Sequence, residues 1–100
     1  MKLLFVLEGE QKKSVGFLPY KFSKKHSVLF RTLSENSFDK VTVNEFLDAD
    51  KIFVTQEFHK SILSYLVYPH KKEIINLKIN PLIYGKELEF ILNQKLKLYF

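Results

Sequence analysis

The sequence predicts an α/β fold, a parallel sheet with helices on both of its faces. Three observations carry that expectation. Short apolar, β-branched runs alternate with stretches of helical periodicity, the order that calls for parallel strands joined by crossover helices. The first run, Lys2–Leu7, is apolar throughout after its lysine instead of alternating, as a strand covered on both sides must be. The 100 residues contain no repeat, linker or low-complexity stretch, so one domain is expected.

After this first strand comes a polar loop, and a helix is expected from about Ser14. Pro19 removes an amide donor there and crowds the carbonyl one turn back, so that helix is short or kinked. His26–Leu33 reads as the second strand, followed by the polar turn Ser34–Lys40. Thr42 and Glu45 have the spacing of a capping box, opening a short helix that ends near Asp48–Asp50. Lys51–Thr55 is the third strand, again β-branched and apolar. From Gln56, the residues Phe58, Ile62, Leu63, Leu66 and Val67 recur at helical spacing until Pro69, predicting a helix with that stripe inside. Glu73–Leu77 is the fourth strand. Asn80 and Pro81 open a loop that Gly85 ends, and Lys86–Leu98 is the last helix, with Leu88, Ile91 and Leu92 toward the core.

Composition narrows the chemistry. A hydrophobic content of 46%, with ten Phe and five Tyr, is ample for a packed interior and rules out a disordered chain. The apolar run Leu3–Leu7 stops at Glu8, short of a signal-peptide core, and nothing reaches the roughly 18 apolar residues of a membrane span. A soluble, cytoplasmic protein is therefore expected. Zero cysteines fit a reducing interior and exclude disulfides, thiolate catalysis and cysteine-held metals. His26, His59 and His70 show no metal-ligand spacing, and each reads as a surface residue. Neither a metal nor a cofactor is expected.

In an open α/β sheet the loop after the first strand is the usual anion cradle. Here that loop runs Leu7, Glu8, Gly9, Glu10, Gln11, Lys12, Lys13, Ser14. Preceded by Leu3–Val6, it resembles the opening of the low-molecular-weight protein tyrosine phosphatases, an apolar strand running into Cys-x-x-x-x-x-Arg and then Ser or Thr. Residues 41–54, with Ala49, Asp50, Ile52, Phe53 and Val54, are similar to that family's helix and its Ala-Asp-x-Ile-Phe-Val strand. Phe58, His59 and Lys60 match its His-bearing next helix. The likeness spans the chain loosely and residues 41–67 specifically, and is closest to the family's short phosphatase-like branch. It implies a three-layer α/β/α domain with four parallel strands in the order 2-1-3-4.

The same resemblance implies lost chemistry. The family's thiolate nucleophile falls on Leu7, and a hydrocarbon cannot attack phosphorus. Its phosphate-gripping Arg falls on Lys13, a point charge without the two-pronged donor geometry. Its general acid, an Asp after the fourth strand, has no counterpart in residues 80–84. Gly9 and Ser14 remain, but Ser14 lies beyond the loop and lacks an evident base. Glu8 and Glu10 oppose Lys12 and Lys13, which disfavours a bound phosphate. The expected function is a catalytically inactive, phosphatase-like domain, a pseudophosphatase acting as a protein-binding module.

Two other classes stay open. A non-cysteine hydrolase would need clustered Asp, Glu and His, which are scarce. A small basic adaptor for nucleic acid fits the net charge of +5 and the clusters Lys24–His26 and His70–Lys72, but no recognition motif accompanies them. In the implied topology both clusters lie at one edge of the sheet, broken by Asp48 and Asp50, and read as a solvated rim. The aromatic residues point more directly to a partner. Phe90, Leu96, Leu98, Tyr99 and Phe100 cannot all face one way at about 3.6 residues per turn, and Tyr65 and Tyr68 fall beside the inner stripe of their helix. They are either half-exposed aromatics of a small domain or an apolar patch for another protein or a second copy. The candidate partner contacts are Glu8, Glu10, Phe90, Leu98 and Phe100.

Overall fold

The computed structural model describes residues 1–8, 11, 26–33, 40–66 and 72–99. The helix expected from Ser14, the turn at 34–39, and Tyr68 through Lys71 lie outside the described residues, as do Gly9, Glu10, Lys12, Lys13, Ser14 and Phe100.

The described elements are strands β1 (Lys2–Leu7), β2 (Ser27–Thr32), β3 (Lys51–Val54) and β4 (Ile74–Asn76), with helices α1 (Val43–Asp48), α2 (Glu57–Leu66) and α3 (Gly85–Leu96). The strands form one sheet in the order β2-β1-β3-β4. Every pairing is parallel, with Leu7 opposite Thr32, Val6 opposite Val54, and Val54 opposite Asn76. All four carboxyl ends therefore lie along one edge.

Strand β1 is apolar throughout because it has two interiors to fill. Successive side chains on a strand point to opposite faces. Leu3, Phe5 and Leu7 join Phe53 and the α3 residues Leu88, Leu92 and Leu96 in one core. Leu4 and Val6 join Ile52, Val54, Phe46 of α1 and Leu63 of α2 in the other. The first core is built on stacked rings, Phe5 and Phe53 lying 5.0 Å apart at 16°.

The capping box forms as expected. Glu45 N donates to Thr42 Oγ1 at 3.2 Å, and Thr42 N donates to Glu45 Oε1 at 3.0 Å. Glu45 Oε2 takes Arg31 Nε at 2.9 Å, so the cap also holds the edge strand β2. Thr42→Ala should cost about 1 kcal/mol, read as a lowered urea midpoint at unchanged slope. At the other end of α1, Lys72 Nζ donates to the carbonyls of Leu47 and Ala49. That lysine, expected on a solvated rim, satisfies carbonyls at a partly buried helix end.

Helix α2 departs from the expected phase. Phe58, Ile62 and Leu66 are 49%, 40% and 51% exposed, whereas His59 and Leu63 are buried. The segment contains two overlapping stripes, one residue or about 100° apart, and periodicity cannot choose between them. Packing against the sheet selects the stripe bearing Leu63, which meets Ile52, Val54 and Ile74 in the core. His59 is thereby an interior residue, correcting the surface position expected for it. In α3, Leu88 and Leu92 face the core as expected and Leu96 joins them, while Phe90 and Leu98 are exposed. Gly85 adopts φ 66° with open space around it, so glycine is required there by conformation and not by room.

Candidate functional site

In a parallel sheet the loops beyond the carboxyl ends form the natural binding edge. Here the loops after β1, β3 and β4 are hydrogen-bonded to one another through two side chains.

The first is Gln11, which is fully buried. Its Nε2 donates to Asn80 O at 3.1 Å and Ile83 O at 3.0 Å, both in the loop after β4. Its Oε1 accepts from Glu8 N at 3.3 Å and from Thr55 Oγ1 at 3.5 Å. One amide thus uses both donors and both lone pairs to hold together the segments that follow β1, β3 and β4. The Glu8 amide, which an anion cradle would direct at its ligand, is spent on this contact.

The second is Glu8 itself. Its Oε1 accepts from His59 Nε2 at 2.9 Å and from Gln56 Nε2 at 3.1 Å. The Glu8 side chain is 36% exposed and that of His59 only 3%. Burial pushes the His59 imidazole below its ordinary value, partly opposed by the Glu8 carboxylate and its hydrogen bond. Further along the edge, Asn76 Nδ2 donates to Glu57 Oε2 at 3.1 Å, and Asn76 Oδ1 accepts from Lys78 N at 2.9 Å. That bond steadies Lys78 at φ 54°, a left-handed backbone that lysine rarely adopts.

Leu7 ends β1 with a side chain only 1% exposed, packed into the core beneath α3. The position that the resemblance assigns to a nucleophile is occupied by core hydrocarbon. Glu8 and Gln11 are brought together at the site, whereas Phe90 and Leu98 lie on and just beyond α3, away from it. Gln56 and Thr55 are site residues that sequence reasoning did not single out, and His59, matched there to a His-bearing helix, was expected at the surface and outside any site. The spacing of His59 and Leu63, one turn apart, was the available signal for His59. Gln11 carried none beyond its place in the loop.

At the opposite, amino end of the sheet a hollow of about 290 Å³ is lined by Lys2, Ser27, Glu45 and Asp48 among others. Its charges are already matched, Lys2 with Asp48 at 2.7 Å and Glu45 with Arg31 at 2.9 Å. No cluster of three or more metal-ligating residues occurs among the described residues, and no helix among them is long and apolar enough to cross a membrane. The chain matches no protein-family model, and neither a curated protein nor a solved structure matches it significantly.

Proposed function

We propose that this chain is a catalytically silent α/β domain on a low-molecular-weight phosphatase-like scaffold, acting by binding a protein at the carboxyl end of its sheet. One observation supports this reading above the others: the described residues that follow β1, Glu8 and Gln11, are held from within. Gln11 holds the Glu8 amide, and His59 and Gln56 hold the Glu8 carboxylate, so among the described residues of the loop no nucleophile and no free amide cradle is presented. A carboxylate at this mouth repels a phosphate, and Leu7 is committed to the core. What such an edge offers is a defined surface, with Glu8, Glu57 and Lys78 at its rim.

The assay is turnover of an aryl phosphate by the purified chain. The expected result is no rate above buffer. A rate that survives repeated purification and disappears in Ser14→Ala or Lys13→Met would overturn the reading. The same preparations, used for affinity capture, locate the surface. A partner lost with Glu8→Lys and Glu10→Lys but kept with Phe90→Ser places binding on this edge, and the reverse pattern moves it to α3.

A further inference from the structure

We propose that the Glu8–His59 contact is an acid-released latch, closed while the imidazole is neutral and opened when it takes a second proton. The proposal rests on the reading of this edge as the partner surface and adds its regulation.

His59 belongs to α2 and Glu8 to the loop after β1, so their 2.9 Å contact ties together elements 51 residues apart. A carboxylate only accepts hydrogen bonds, so Nε2 must donate, and Nδ1 is the bare nitrogen of a neutral ring. That nitrogen is buried and has no hydrogen-bond partner among the described residues. A proton arriving there would create a buried donor without an acceptor, whereas the same proton on a released, hydrated ring is satisfied by water. The ring of Phe58, its centroid 4.4 Å from that of the imidazole, offers no conventional acceptor.

Among the described residues, the charged neighbours do not reverse this balance. From the loop after β1 comes Glu8. On α2 itself, Glu57 is engaged by Asn76 of β4, and Lys60 is exposed. The turn before α2 supplies only the neutral Thr55 and Gln56. The attraction of Glu8 for a charged ring is outweighed by burial, which holds the imidazole below its ordinary value of 6.5. A group whose pKa is lower in the closed state binds its proton first in the open one. The closed state is therefore fully favoured above the open-state value and loses ground as pH falls toward the closed-state value. Release would be local, because the two cores consist of apolar side chains that do not titrate.

The experiment is amide hydrogen exchange, corrected for the intrinsic rate, at about pH 7.5 and about pH 5, beside an NMR titration of the His59 ring. In the wild type the Glu8 amide, which Gln11 holds while the latch is closed, should lose severalfold more protection than the Phe5 and Phe53 amides. In His59→Gln, which keeps a donor for Glu8 but cannot titrate, that excess loss should vanish. An equal loss in His59→Gln overturns the latch, as does a parallel loss at Phe5 and Phe53, which would mean global unfolding. Should His59→Gln fail to fold, the wild-type ring decides: a midpoint clearly below 6.5 supports the latch, and one at or above 6.5 overturns it. None of these readouts needs a partner, so a failure of the binding reading would be seen separately, as absence of capture at either pH.

Discussion

Replacing Phe53 by alanine is expected to lower stability by about 3–5 kcal/mol, a large share of the roughly 5–15 kcal/mol that holds a domain of this size. Phe53 is fully buried on an inner strand, stacked on Phe5 at 5.0 Å and met edge-on by Tyr99 at 5.7 Å. Removing the ring withdraws apolar area from the core and leaves a cavity between Phe5 and α3 that the sheet cannot close. Urea unfolding should show the midpoint falling by about 2 M at unchanged slope, with a thermal midpoint on the order of 15–30 °C lower. Phe90→Ala is the internal contrast. That ring is 64% exposed, and its removal should change stability by less than about 0.5 kcal/mol. A cost for Phe90 equal to that for Phe53 would show that something covers the outer face of α3 in solution.

The second large effect is expected at Gln11. In Gln11→Glu the amide nitrogen that donates to Asn80 O and Ile83 O becomes an oxygen facing two carbonyls. The oxygen that accepts from Glu8 N and Thr55 Oγ1 is retained. Two partly buried acceptors lose their donor and a charge enters the fully buried position of Gln11, so a loss of about 2–4 kcal/mol at neutral pH is expected. The pH dependence is diagnostic. Burial and the facing carbonyls favour the protonated carboxyl, raising its folded pKa above the unfolded value. The folded variant then holds its proton where the unfolded chain has lost it, so the deficit shrinks on acidification and is complete once pH has risen past the folded value. Urea titrations of variant and wild type at about pH 5 and about pH 8 measure the difference, in which the contribution of His59 largely cancels. A deficit independent of pH would mean that the side chain does not lie between those two carbonyls.

The two residues differ in how far the sequence exposes them. Phe53 sits in a short apolar run whose composition already marks a strand, and its burial follows from that. Gln11 is one polar residue in a polar loop, and nothing local separates it from Lys12 or Glu10. Its partners are 69 and 72 residues away, brought within reach only because parallel strands carry three loops to one edge. His59 stands between these cases. The helix bearing it was legible, but which of two adjacent stripes turned inward was not.

The amino-acid sequence by itself determined the alternation of strands and helices from β2 onward, the capping box at Thr42, the doubly covered first strand and the lack of any cysteine. Each is a local or compositional property, carried by neighbours within a turn or a few residues. Tertiary structure alone decided the phase of α2, the burial of His59 and Gln11, and the tethering of Glu8 and Gln11 by contacts 44 to 72 residues apart. Period is written in a sequence. Phase and long-range hydrogen bonding follow from how the sheet brings distant backbone together.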